Sequence, residues 1–257
     1  MDQERLGEIK LNNRGTPMKI IRYESNIDID VMFLDNHNYV KTHCTYNNFN
    51  NGRIKNPFDK NVYNIGYIGI GNHAIKIGKE KTQPYRVWHE LIARCYADKK
   101  KDKYPSYYDI STVCEEWKCY QRFADWYESE AYECEGRLHL DKDILYPGNK
   151  IYSPYTCLLV PQRINMLFSN KPNKRGLPNG IGRTNTGYWA KYNQKELGVY
   201  ETLEEAYNAY AGEKEKAIKQ VADEYRDIIP EKVYNALYAY KVDIRNDKNY
   251  ITNLPIN

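Results

Sequence analysis

The sequence contains no run of about 18 apolar residues, the length that a membrane-spanning helix requires, so no transmembrane helix is predicted. The first ten residues carry acids and no apolar stretch, which predicts no secretory signal. Six cysteines (Cys44, Cys95, Cys114, Cys119, Cys134, Cys157) include no Cys-x-x-Cys pair. Reduced thiols in a cytosol-like compartment are the expectation. The charge imbalance is slight, +4 over 257 residues, and by itself says little about partners. Disordered chains are poor in aromatics, and the aromatic share of 14% here excludes wholesale disorder.

The distribution of charge says more than the total. Residues 171–200 hold six bases and one acid, a net +5, whereas residues 201–226 hold four bases and seven acids, a net −3. A basic segment beside an acidic one is a polarised module, not a uniformly solvated surface. Tyrosine is abundant, with 26 residues. An AT-rich coding sequence accounts for part of that excess.

Three stretches are expected, in an α+β fold. Residues 1–72 are expected to be a small β-rich module. Met18–Tyr23 is apolar and β-prone. Ile27–Phe33 alternates with period two, Ile27, Ile29, Val31 and Phe33 on one face and Asp28 and Asp30 on the other. Such a module is either purely structural or a nucleic-acid contact. Gly66, Gly69 and Gly71 read as a linker turn. Residues 84–170 turn helical first: Trp88, Leu91, Ile92 and Cys95 share a helix face, and Val113, Trp117, Tyr120, Phe123, Ala124 and Tyr127 mark a second helix. The charged run 98–103 between them is a solvated turn or a phosphate contact. The spacing of Cys114, Cys119 and Cys134 fits no common zinc pattern, which favours buried free thiols.

The chemistry candidates lie in 137–168. Arg137–Leu145 reads as a strand with His139, Asp141 and Asp143 on one face and Leu138, Leu140, Lys142 and Ile144 on the other. Pro147–Lys150 is a turn, Thr156–Pro161 a second strand, and Gln162–Phe168 a helix with Asn165 in its first turn. Carboxylate and amide oxygens of this kind suit a hard divalent cation such as Mg²⁺.

Leu140–Leu145, Tyr152–Pro154 and Thr156–Asn165 together resemble the ββα-metal (His-Me finger) unit of phage HNH endonucleases. Trp88–Tyr96 and Val113–Trp126 are similar to segments that precede that unit in phage homing-type proteins. The resemblance implies a metal held by Asp141 and Asn165; from the residues themselves, Asp143 is either a second ligand or an exposed strand acid. The position of the family's general-base histidine is Lys142 in this chain. An ordinary lysine keeps its proton to about pH 10, and His139, two residues upstream of Asp141, is the alternative base.

Residues 176–257 resemble a second family. Gly180–Arg183, Gly187–Lys191, Leu197–Tyr200 and Thr202–Tyr210 look like the Apetala-type (ethylene-response-factor) DNA-binding domain, a three-stranded sheet packed on a helix, with the sheet in the major groove. The resemblance implies DNA contacts from Arg183, Tyr188, Trp189, Lys191 and Lys195. From the residues themselves, Thr202 and Glu205 form a capping box, and Ala206, Tyr210, Ala217, Val221 and Tyr225 form the apolar stripe of the helix. A further helix is expected after Pro230. Taken together, these features lead to the expectation of a Mg²⁺-dependent, homing-type DNA endonuclease from a phage or mobile element. It would bind double-stranded DNA in the host cytoplasm, with no membrane partner. The alternative is a nuclease-derived protein that has lost catalysis and acts as a DNA-binding regulator or as an anti-defence factor on a host protein.

Overall fold

The computed structural model describes residues 5–97, 111–170 and 173–251. The charged run at 98–103 and Lys171 lie outside them. The fold is α+β, and the chain divides into two compact units, 1–125 and 126–257. Among the described residues no helix is long and apolar enough to cross a membrane.

The first unit opens with an antiparallel meander of β1 (Ile9–Leu11), β2 (Pro17–Ser25), β3 (Asp28–Phe33) and β4 (Val40–Cys44), in that spatial order. The alternation in β3 is realised: Ile29, Val31 and Phe33 are fully buried and Asp28 and Asp30 face the other way. Ile27 departs from it, being 78% exposed. Ser25 pairs with Asp28, so Asn26 and Ile27 form the two-residue connection and Ile27 belongs to neither sheet face. The short helix α1 (Tyr46–Asn50) is capped by Thr45 and supplies Phe49 to the core formed with Met18, Ile20 and Ile54.

A small hairpin, β5 (Lys76–Ile77) and β6 (Glu80–Lys81), leads into α2 (Gln83–Tyr96). Trp88, Leu91, Ile92 and Cys95 of α2 are all buried, as their spacing predicts. The glycine cluster is no linker. A Cβ at Gly66 would lie 2.9 Å from the Trp88 ring, and one at Gly69 would lie 2.4 Å from Cys119 Sγ. Only glycine allows that segment to pack so closely. The second expected helix is shorter than its apolar pattern. Thr112–Val113 form the short strand β7, residues 116–118 make a single 3₁₀ turn, and α3 (Tyr120–Glu130) begins only after the extended Cys119. The β-branched pair Thr112 and Val113 favours extended backbone over helix, and Val113 and Trp117 reach the interior from outside the helix.

In the second unit β8 (Leu138–Asp141) pairs antiparallel with β10 (Leu158–Pro161), with the short strand β9 (Ile151–Tyr152) in the connection. Helix α4 (Gln162–Leu167) follows β10 directly, which completes a strand–loop–strand–helix order. Then come β11 (Ile181–Arg183), β12 (Tyr188–Tyr192) and β13 (Lys195–Tyr200), a three-stranded antiparallel sheet, and α5 (Leu203–Glu224). The capping box is present: Glu205 N–H donates to Thr202 Oγ1 (3.2 Å), and Thr202 N–H donates to Glu205 Oε2 (3.1 Å). Helices α6 (Glu231–Ala239) and α7 (Lys248–Ile251) end the described chain.

Helix α5 serves two cores. Its first half buries Ala206, Tyr207, Tyr210 and Ala211 against Ile181 and Ala190 of the sheet. Its second half buries Ile218, Val221 and Ala222 in one cluster with Ile144, Leu158, Val160 and Ile164 and with Val233 and Leu237 of α6. The segments read as 84–170 and 176–257 thus meet in continuous apolar packing. Each buried aliphatic side chain there contributes about 1.5–3 kcal/mol.

Candidate metal centre and nucleic-acid interface

The strand read over 137–145 ends at Asp141. The cause is Asp141 itself: its Oδ1 accepts from the backbone N–H groups of Asp143 and Ile144, both at 2.8 Å. A carboxylate that bonds the backbone two and three residues on makes a turn that competes with the ladder. His139 and Asp141 therefore share a strand face as expected, but Asp143 leaves the strand, and Lys142 and Ile144 turn inward.

Asp141 is buried, and its Oδ1 accepts both hydrogen bonds; no bond to its Oδ2 occurs among the described residues. Burial pushes its carboxyl up to about 6, helped by the negative charge of Asp143, while the two N–H donors and Lys142 pull the other way. Lys142, also buried, donates from Nζ to Asp143 Oδ1 (2.7 Å) and to the Asn149 carbonyl. Both contacts use the nitrogen as a donor. His139 Nε2 receives Arg137 Nε at 3.3 Å. Asn165 sits half-buried on α4. Two further groups border the acids: Tyr240, whose phenol is held up mainly by burial and also by Asp141 and Asp143, and Lys248 of α7, held down by burial and up by Asp143.

Asp141 and Asp143 offer oxygen donors of the kind a hard cation takes, with Asp143 Oδ1 already paired to Lys142; Asn165 lies on α4, and no hydrogen bond among the described residues joins its amide to either acid. The set is sparse, because the ligand atoms of His139, Asp141 and Asp143 do not all gather within 4.8 Å. Among the described residues the acid–histidine group that does is Asp28, Asp30 and His43. Arg22 already neutralises it, donating to Asp30 Oδ2 at 2.6 Å and to Asp28 Oδ1 at 2.7 Å. Those bonds hold both carboxyls below the usual carboxylate range, so an ion would have to displace the guanidinium. None of the cysteines joins such a group.

The sheet sorts the five candidate DNA contacts onto two sides. Tyr188, Ala190 and Tyr192 alternate toward α5, so Trp189 and Lys191 stand on the outer face. Trp189 lies across Gly182: a Cβ there would come within 2.2 Å of the indole. Arg175 lies 5.6 Å from that ring's centroid. Arg183 pairs in register with Tyr188, on the helix side, and donates to the Tyr188 hydroxyl at 3.0 Å. Lys195 pairs with Tyr192 and reaches Glu213 of α5 at 2.6 Å. Asn193 and Gln194, both at positive φ, make the tight turn between β12 and β13.

A cleft of about 790 Å³ is lined by Gln162 and Arg163 of α4, Lys191 and Tyr192 of β12, and Tyr210 and Lys214 of α5. Arg163 pairs with Glu224. Burial holds the Lys214 ammonium below the ordinary lysine range, and it lies 6.0 Å from the Tyr210 ring centroid. Lys214 was missed in the sequence; the signal for it is a lysine four residues from Tyr210 and four from Ile218. Arg163 and Lys248 gave no such signal.

No family model, curated protein or solved structure matches this chain.

Proposed function

We propose that this chain binds double-stranded DNA and cleaves it as a divalent-metal-dependent endonuclease of the HNH kind. The observation that supports this most directly is Asp141, a carboxylate buried at the end of the first strand of a strand–loop–strand–helix unit, with no bond to its Oδ2 among the described residues. Buried acids with raised affinity for a proton concentrate at functional sites. Asp141, with Asn165 and Asp143, would hold an ion such as Mg²⁺, which supplies charge stabilisation at a scissile phosphate and its leaving oxygen. His139 is the base, because it shares the Asp141 face whereas Lys142 is locked as a donor. To take a proton from water at Nε2, His139 must first release Arg137. The outer sheet face, with Trp189 between Lys191 and Arg175, and the cleft holding Lys214 provide the contact surface for duplex phosphates.

One observation favours the second reading, a DNA-binding protein without catalysis: the base position holds a lysine whose ammonium is committed to Asp143 and Asn149. Plasmid nicking by the full chain in Mg²⁺ and in Mn²⁺, against an Asp141→Ala control, separates the two. Metal-dependent nicking that the control lacks supports the enzyme. Duplex binding without nicking in either metal leaves the binding protein. Absence of both sinks the DNA assignment and moves attention to a host protein partner.

A further inference from the structure

The first unit contains a cleft that neither the ββα unit nor the C-terminal sheet uses. Its volume is about 610 Å³, within the range of small-molecule sites. Arg14 lines it from the turn between β1 and β2, and Arg53 and Lys55 from the segment after α1; Tyr63, Tyr85 and His89 line it too. The two basic segments are tied together. Asn13 N–H donates to the Gly52 carbonyl (2.8 Å), Asn12 Nδ2 to Asp59 Oδ2 (2.8 Å), and Thr16 Oγ1 to Asp59 Oδ1 (2.5 Å). Asp59 is the acid in this cleft, and both of its oxygens are held by those neutral donors. Arg14, Arg53 and Lys55 are exposed, and no carboxylate among the described residues pairs with them.

The aromatic side of the cleft is equally specific. The Tyr63 and His89 rings are 5.5 Å apart and the Tyr85 and His89 rings 5.8 Å apart. Tyr63 has φ of +53° and Asn64 +59°. Left-handed backbone is disfavoured for an aromatic residue, and such conformations cluster where a ligand is held. A turn closed by Val62 N–H on the Gly66 carbonyl (3.0 Å) keeps Tyr63 there.

We propose that this cleft binds a nucleotide unit, its phosphates on Arg14, Arg53 and Lys55 and its base stacked against Tyr63 and His89. Three exposed cations in one cleft with clustered rings are the chemistry of an anion that carries a flat π-system. The ligand is either a segment of a nucleic-acid strand or a free nucleotide. The cleft does not depend on the ββα unit or the sheet, so it stands or falls apart from the endonuclease assignment.

The test uses the full chain with two probes: fluorescein-labelled dT12 by anisotropy across a salt series, and thymidine 5′-monophosphate by calorimetry. Single strands release about 0.7 of a counterion per phosphate contact, so Arg53→Ala with Lys55→Ala should lower the salt slope by about 1.4 and the affinity at 0.1 M salt by about 25-fold. Tyr63→Gly removes the ring and the strained backbone together. It should raise the melting temperature while weakening dT12 by about 5- to 150-fold, the range of base–aromatic stacking. A purely structural tyrosine would not show that opposed pair of effects. Losses confined to dT12 identify a strand site, and losses with both probes a nucleotide site. Variants that bind both probes like the wild type, or a wild type that binds neither, overturn the proposal. Duplex binding by Trp189→Ala, measured alongside, reports on the sheet alone and separates failure of this cleft from failure of the DNA-binding assignment.

Discussion

Replacing Asp141 by asparagine should change how stability depends on pH, and the size of the change follows from the burial of the carboxyl. Its pKa is about 6 in the folded chain, against an ordinary value of 3.8. The folded state therefore binds the proton more tightly than the unfolded state does. Below pH 3.8 both states are protonated and Asp141 costs nothing. Between 3.8 and 6 the unfolded state has lost its proton while the folded state keeps it, so stability falls as pH rises. Above 6 both are ionised and the loss is complete. At about 1.4 kcal/mol per pH unit, that gap amounts to about 3 kcal/mol. The amide of the Asp141→Asn variant does not titrate, and its oxygen can still accept from Asp143 and Ile144 N–H. The stability of the wild type minus that of the variant should therefore decline by about 3 kcal/mol from about pH 3.5 to about pH 6.5 and then level off. Urea denaturation at half-unit pH steps measures it. Groups common to both proteins, such as Asp28 and Asp30 with Arg22, cancel in the difference. A constant offset from the new amide does not alter the slope. A difference that stays flat, or rises with pH, would refute the desolvation account. Asp141→Asn should also abolish any nicking, since a buried charge that weakens the fold is retained where activity needs it.

Other outcomes are expected elsewhere. Ile218→Ala, at the junction of α5, α6 and the ββα unit, should cost about 2–5 kcal/mol, read as a shift of the urea midpoint at unchanged m-value. Thr202→Ala removes one arm of the α5 capping box and should cost about 0.5–2 kcal/mol, visible as a lower melting temperature. In duplex binding, Lys191→Ala should reduce the salt slope by about 0.9 and weaken all sequences alike, its exposed partner Glu196 at 3.7 Å giving way to phosphate, whereas Lys195→Ala should leave the slope unchanged because Glu213 holds Lys195 at 2.6 Å. Gly182→Ala places a Cβ within the Trp189 indole; the ring should lift from the sheet and shift its fluorescence, and duplex affinity should fall without loss of helix content by circular dichroism.

Local signals carried much of the fold. The period of two in β3, the spacing of Trp88, Leu91, Ile92 and Cys95 in α2, and the Thr202–Glu205 pair before α5 each report an interaction within a few residues. Such interactions are visible in the order of residue types. The strand–loop–strand–helix order of 138–167 was legible for the same reason.

What the sequence left open was decided by which partners the folded chain brings to each side chain. Asp141 could have continued a strand. It ends one because its carboxylate is buried where the backbone donors of Asp143 and Ile144 are its partners. Lys142 reads as a candidate base, and the folded chain engages its nitrogen as a donor to Asp143 and the Asn149 carbonyl. Of the five basic and aromatic residues on the C-terminal strands, the register places Trp189 and Lys191 outward, and Arg183, Tyr188 and Lys195 toward the helix. Composition fixes how many charges a segment holds. Which of them remain free for a ligand depends on the partners that tertiary packing brings within hydrogen-bonding distance, and no spacing along the chain encodes that.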